Sequence, residues 1–320
     1  MNEILVTGGA GFIGANVCKA LKASGFVPVT VDNLSTGFLH NVKWGPFHNL
    51  DLRDFDQLQS KLVNYNFIGV VHLAASAYVG ESQSDPIKYF DNNIVSTINL
   101  LKYMKEINLK DLVFSSSCTV YGKGNGDLFR EDDICEPINN YGLSKRMCEE
   151  IITSVARSLG LRYVILRYFN ASGFDIESGI IEQHNPETHV IPLLVNSALN
   201  GDEFKIFGLD YETSDGSPVR DYVHVSDLSN AHVKSIRYLK SGGANIILNL
   251  GSGKGTSVLE LIEVAKRLGI TPKVTVDERR KGDPPSLVAD CQLAQRKLGW
   301  KPSNSEIECI LKSVVDPTRA

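Results

Sequence analysis

The sequence predicts an α/β protein in which a doubly wound, mostly parallel sheet is followed by a second, smaller α/β unit. Three observations predict it. Short apolar runs alternate with segments of helical spacing through the first half of the chain, the pattern of βαβ units. A glycine-rich turn joins the first apolar run to the first helical segment. After Asn170 the rhythm loosens, and residues 173–188 are rich in Gly, Glu, His and Pro, which marks a loop or boundary.

The elements follow in order. Ile4-Leu5-Val6 is a short apolar run and reads as a strand, and 13–23 has helical spacing. A strand at 27–31, a third strand before Asp51, a helix near 55–64 and a strand at 68–73 follow. Helical spacing then spans 87–107 as one segment, with Asn92 and Asn93 near its start. A strand at 112–114, a helix at 141–159 and a strand at 162–167 complete the first half. Beyond the boundary lie a helix near 191–200 and strands at 204–207 and 246–250. With 320 residues, two domains are expected: 1–170 for the nucleotide cofactor and 171–320 for the substrate, some later segments returning to the first.

Composition excludes several classes. The net charge is −4 with no long basic run, so nucleic acid is not an expected partner. Six scattered cysteines form no C-x-x-C pair and read as reduced thiols. No cationic leader or long apolar segment stands near the start, so a cytoplasmic location without a membrane is expected. Asn33-Leu34-Ser35 and Asn170-Ala171-Ser172 match the glycosylation pattern, which has no meaning without secretion.

Thr7-Gly8-Gly9-Ala10-Gly11-Phe12-Ile13-Gly14 sits between the first strand and the first helix. Gly8 permits a tight turn, Gly11 lets the backbone approach a pyrophosphate, and Gly14 lets the helix lie close to the strand. The helix N-terminus offers amide groups and partial positive charge to phosphates. Asp32 ends the second strand at the spacing of a ribose-binding acid, with Asn33 beside it. A carboxylate there accepts from a ribose 2′-OH and repels a 2′-phosphate, so NAD is expected over NADP. Asp51-Leu52 is placed to cover the adenine, and Leu73-Ala74-Ala75 to line the cofactor. Gly251-Ser252-Gly253-Lys254-Gly255-Thr256 imitates a P-loop, but Lys254 precedes Gly rather than Ser or Thr, so a plain turn is expected.

Tyr141-Gly142-Leu143-Ser144-Lys145 opens a helix, and residues four apart share a helix face. A tyrosine of ordinary pKa, about 10, needs roughly 4 kcal/mol of preference for phenolate to act as a base near pH 7. One cation about 5 Å away at an effective dielectric of about 20 supplies roughly 3 kcal/mol. Lys145 with an oxidised nicotinamide is therefore the expected tuning pair. Ser117, last of Ser115-Ser116-Ser117 after the fifth strand, is placed to hydrogen-bond the reacting hydroxyl. No G-x-S-x-G elbow and no H-E-x-x-H spacing occur, so neither a hydrolase set nor a metal is expected. His72, inside an apolar strand, reads as a hydrogen-bonded core residue.

The glycine loop, Ser117 and Tyr141-x-x-x-Lys145 together resemble the extended short-chain dehydrogenase/reductase superfamily, with its Rossmann domain. Longer strings resemble its UDP-glucose 4-epimerase family. These are Val79-Gly80-Glu81-Ser82, Asp91-Asn92-Asn93, Phe114 to Gly122, Leu166-Arg167-Tyr168-Phe169-Asn170, Val219 to Val225 and Arg280-Lys281-Gly282-Asp283-Pro284. The similarity runs over nearly the whole chain.

The resemblance implies that Tyr141 removes the sugar 4-OH proton while C4 passes its hydride to bound NAD. The 4-keto sugar then turns over and takes the hydride back on its other face. Ser117 assists, and Lys145 binds the nicotinamide ribose. Asn92, Ser115 and Tyr168 would join the cofactor site. Asn170, Arg220, Tyr222, Arg280 and Asp283 would hold the uridine diphosphate, with His189, Val190, Ile206, Phe207 and Leu287 around them. A homodimer through helices near 92–107 and 141–159 is implied as well.

Three positions depart from the family pattern. His189 replaces a common Asn, Ala77 replaces a lysine, and Leu287 stands where Tyr accompanies plain hexoses and a small residue N-acetylated ones. UDP-glucose/UDP-galactose interconversion is the expectation, with N-acetylated or uronic UDP-hexoses as alternatives. A 4,6-dehydratase is disfavoured because Cys118 and Thr119 stand where dehydratases carry two carboxylates. A uronic-acid decarboxylase and a non-catalytic NAD-binding protein are the remaining rivals.

Overall fold

Apolar strands buried on both faces build the frame of the molecule. The computed structural model describes residues 2–123, 128–184, 186–280 and 283–319. The strands are β1 (Glu3–Thr7), β2 (Val27–Asp32), β3 (Phe47–Asn49), β4 (Phe67–His72), β5 (Asp111–Ser117), β6 (Arg162–Tyr168), β7 (Asn170–Ser172), β8 (Glu203–Phe207), β9 (Val219–His224), β10 (Ile246–Leu250), β11 (Gly255–Ser257), β12 (Lys273–Asp277) and β13 (Ser286–Leu287). Seven of them pair in parallel in the order β10-β6-β5-β4-β1-β2-β3. Strand order reverses between β1 and β4, and ligands of open α/β sheets bind outside the carboxyl ends at such a point.

Neighbouring residues of a strand point to opposite faces, and the core divides accordingly. Leu5, Val70, Leu112 and Phe114 face Leu100, Met104, Cys148 and Ile152 of the helices Ser96–Glu106 and Asn140–Leu159. Ile4, Val6, Val71, Val113 and Leu166 face Val17 and Leu21 of the helix Phe12–Ala23, and Leu228 and Ile236 of the helix Val225–Lys240. Both β10 and the helix Val225–Lys240 come from the second half of the chain. Covering both faces explains why these strands read as continuous apolar runs.

The smaller unit centres on β9, which pairs with β7, β11 and β13, beside a parallel β8–β12 pair. Its core packs Ile191, Leu194, Phe204, Ile206, Leu261 and Ile310. Among the described residues of 173–188 there is no helix and only an isolated bridge, Asp175–Ile180. Among the described residues no helix is long and apolar enough to cross a membrane. The six cysteines are free.

The structure corrects two expected elements. The helical spacing of 87–107 is not one α-helix: Pro86–Tyr89 passes through a widened π-type stretch, Phe90–Val95, into Ser96–Glu106. The widening lets Asn93 accept from Ser76 N at 2.8 Å and donate to Ser76 O at 3.1 Å and Ser144 Oγ at 2.9 Å, a functional use typical of such bulges. The three serines do not follow β5; they are its last residues, paired with β6 at Leu166, Arg167 and Tyr168.

Candidate active site

A cavity of about 1240 Å³ opens above the carboxyl ends of the large sheet and is walled on its far side by β8, β9 and β13. Its near wall begins at the glycine loop. Gly8 holds φ +73°, and a Cβ there would stand 2.6 Å from Ala74 N. A Cβ on Gly14 would meet Gly8 O at 2.1 Å. At Gly11 the one neighbour of such a Cβ is Gly8 O at 3.4 Å, so that face is open to the cavity. Gly11 caps the helix Phe12–Ala23 without a side-chain bond, which leaves its first amides for a ligand.

Asp32 lies behind this loop, its Oδ2 accepting from Ala10 N at 3.0 Å and its Oδ1 from Leu34 N at 2.8 Å. Burial raises its pKa while those two bonds lower it. The open amide end, the close backbone packing and the adjacent carboxylate fit an NAD dinucleotide.

Gly8, Gly11, Phe12, Ile13, Gly14, Leu73, Ala75, Ser115, Tyr141, Lys145 and Tyr168 line the cavity as expected of cofactor residues. Other expected cofactor residues do not. Asp51 is engaged by Arg53, at 2.8 Å, and by Asn33, whose amide donates to it at 3.0 Å. The Arg53 hydrogen bond holds the Asp51 carboxyl below the usual range. Leu52 is buried in the sheet core, Ala74 packs on Gly8, and Asn92 donates to Asn93 Oδ1 at 3.1 Å.

The helix Asn140–Leu159 presents the expected catalytic pair. Its start is fixed by Asn139, whose side chain accepts from Gly142 N at 2.7 Å. Tyr141 stands in the first turn and Lys145 one turn on. Lys145 Nζ donates to Ser115 O at 2.7 Å and lies 5.1 Å from the Phe114 ring centre and 6.0 Å from that of Tyr141.

Burial pushes the lysine down to about 8 and the Tyr141 phenol up to about 12. A hydrogen bond from Ser117 lowers the phenol and Cys118 raises it, both less than burial does. In the chain alone burial is the largest influence on the phenol; the expected tuning pair is Lys145 together with an oxidised nicotinamide.

Ser117 Oγ accepts from Thr119 N at 3.2 Å and from Thr119 Oγ1 at 2.9 Å. Its own proton is thereby directed to Tyr141. Thr119 escaped the sequence reading, which treated it only as a missing carboxylate. Behind the site, Ser116 donates to Glu149 at 2.6 Å, and Arg167 grips Glu149 at 2.9 and 2.8 Å. This buried fork locks β5 and β6 to the catalytic helix. His72 bonds to Thr7 at 2.6 Å and Thr97 at 3.1 Å, the core role expected of it.

The far wall carries the expected diphosphate residues. Arg220 donates to Val219 O at 2.7 Å and pairs with Asp283, and the Arg280 guanidinium lies 4.1 Å from the Phe207 ring centre. Asn170 donates to Asp221 O at 2.8 Å. Tyr222 is buried, and its hydroxyl has no partner among the described residues, the condition of a donor made for a ligand. Val190, Ile206 and Leu287 line the same wall. Lys281 and Gly282 of the matching string lie outside the described residues.

The P-loop imitation serves an internal carboxylate. Asp221 accepts from Ser252 N and Oγ, each at 2.6 Å, and from Gly253 N and Ala289 N, each at 3.1 Å. That network fixes the backbone between Arg220 and Tyr222. His189 also lines the cavity, with Nδ1 3.0 Å from Glu187. Glu182, His184 and Glu187 beside it were not singled out from sequence, since their spacing matches no helical ligand motif.

Comparison with known proteins agrees with this geometry. The model of the NAD dependent epimerase/dehydratase family matches residues 4–251. A UDP-glucose 4-epimerase of Rhizobium meliloti (strain 1021) is 45% identical over 303 residues, 94% of this chain and 92% of that protein. The crystal structure of UDP-glucose 4-epimerase from Brucella ovis in complex with NAD has TM-score 0.95 and 44% identity, covering 99% of this chain and 98% of that one. The UDP-glucose-4-epimerase of Stenotrophomonas maltophila, with bound NAD and formylated UDP-arabinopyranose, has TM-score 0.95 and 35% identity, covering 100% and 98%.

Proposed function

The chain belongs to the NAD dependent epimerase/dehydratase family, and from that premise we propose that it interconverts UDP-glucose and UDP-galactose at C4. The observation that carries the reading is the meeting of Tyr141, Ser117 and Lys145 in one cavity with the glycine loop on one wall and Arg220 and Arg280 on the other. When bound, NAD supplies a hydride acceptor and donor for C4 and, oxidised, a positive charge near the phenol.

The chain's own residues do the rest. Tyr141 takes the 4-OH proton, and Ser117, held by Thr119, donates to the developing phenolate. Lys145 holds the ribose side of the cofactor site and the end of β5. Arg is suited to a diphosphate because its fork is planar and always charged. Arg220 and Arg280 therefore anchor the nucleotide, leaving the sugar free to present its other face. The proton then returns from Tyr141 to the opposite epimer.

The first 170 residues hold the cofactor and the remainder the sugar nucleotide, with β10 returning to the large sheet. Assembly as a homodimer rests on the helix Asn140–Leu159, whose Leu143 and Met147 are exposed in line with half-buried Ile151 and Val155. Free thiols support a cytoplasmic location. Purified protein incubated with UDP-galactose, without added NAD, is expected to bring it to equilibrium with UDP-glucose. Failure to form the epimer from a chain that retains cofactor removes the reading.

A further inference from the structure

The segment leading into the helix Val190–Asn200 gathers two imidazoles and two carboxylates that proton transfer at C4 does not use. His184 Nδ1 is 3.7 Å and His189 Nδ1 3.4 Å from the same oxygen, Oε1 of Glu182. The two rings lie 4.4 Å apart. Glu187 closes the group from another side, Oε1 being 3.0 Å from His189 Nδ1 and Oε2 3.3 Å from His184 Nδ1. Glu187 is itself fixed, because Oε1 accepts from the backbone N–H of Thr188 and His189 at 2.8 Å each.

These distances have a chemical meaning. A tetrahedral ion holding nitrogen and oxygen at about 2.0–2.2 Å sets its ligand atoms about 3.4 Å apart. Donor atoms of Glu182, His184 and His189 all lie within 4.8 Å of one another. Glu182 and His184 are largely withdrawn from solvent, at 9% and 20% side-chain exposure, while His189 at 43% marks the open side. Two carboxylates set around the same pair of imidazoles favour positive charge between them.

We propose that Glu182, His184 and His189 bind one divalent transition-metal ion of the zinc class on the rim of the substrate cavity. Two imidazoles select such ions over the oxygen-seeking magnesium and calcium. Glu182 and Glu187 together balance the two positive charges. Three protein ligands leave a coordination position open, and all four residues line the cavity. His184 also meets Tyr78 edge-on at 5.6 Å, so the ion ties this segment to the loop after β4.

The test uses the full-length protein with its cofactor, stripped by a chelator and titrated with cobalt(II). One ion per chain is expected at micromolar concentration, with ligand-field bands of low coordination number, an X-ray absorption shell of nitrogen and oxygen, and displacement by zinc. His184→Ala and Glu182→Gln are each expected to weaken binding roughly tenfold or more. Absence of stoichiometric binding, sulfur in the shell (exposed Cys309 being a source), or unchanged affinity in both variants overturns the proposal. Should a variant fail to fold, the shell measured on the unaltered chain decides.

Discussion

The two walls of the cavity are built by different means. The near wall consists of strand ends and helix starts: the loop after β1, the end of β5 and the first turns of Asn140–Leu159. Its groups are placed by regular backbone and locked by buried bonds such as Arg167–Glu149. The far wall gathers residues from β9, β13 and the segment before the helix Val190–Asn200. Here side chains hold one another: Arg220 to Asp283, Arg280 to Phe207, the histidines to Glu187. Under the proposed function, chemistry that demands fixed distances falls to the first wall and recognition of the substrate to the second.

That contrast can be broken at either wall. Tyr141→Phe removes the proton acceptor and is expected to lower conversion of UDP-galactose by about 10²–10⁴-fold. UDP binding, followed by calorimetry, should persist; conversion at the native rate would remove Tyr141 from the mechanism. Arg280→Ala should leave cofactor content intact and raise KM for the UDP-sugar about 10- to 100-fold, the value of a charged hydrogen bond. A loss of NAD in that variant would show that the walls are not separable.

The converse variant, Gly14→Ala, drives a methyl into Gly8 O. It should destabilise the protein by about 1–3 kcal/mol and reduce the NAD recovered with it, read by melting and by absorbance. Thr119→Val deletes one of the two donors that orient Ser117. It is expected to slow turnover about three- to tenfold. Because the phenolate loses support, the rising limb of the pH–rate profile should move to higher pH; an unmoved profile assigns Thr119 to packing alone. The smallest effect is reserved for Leu287→Tyr, which should shift the ratio of plain to N-acetylated UDP-hexose turnover a few-fold. No change in that ratio would end its role as a size gate.

Legibility in the sequence follows the same division. Near-wall residues were readable because periodicity places them: a glycine loop after an apolar run, an acid at the next strand end, Tyr and Lys four apart on a helix. The errors there were local. Asp51 matched the expected position, but Arg53 two residues on captured its carboxylate. The widened turn at Phe90–Val95 has no periodic signature; it shows only in the fold, where Asn93 accepts from Ser76 N. On the far wall Arg220 and Arg280 emerged from longer strings rather than from spacing. Of the group around Glu182 only His189 was legible, because only the folded loop brings His184 and His189 together.

The central claim is that Tyr141 ionises under the influence of an oxidised cofactor, against the burial that holds it near about 12 in the chain alone. Tyrosinate absorbance titrated against pH, with NAD and then NADH bound, and subtracted from the same titrations of Tyr141→Phe, measures this directly. A lower apparent pKa in the oxidised state, with the difference absent from the variant, is the predicted result. Equal values in both redox states, or a shift that survives removal of the phenol, would contradict it.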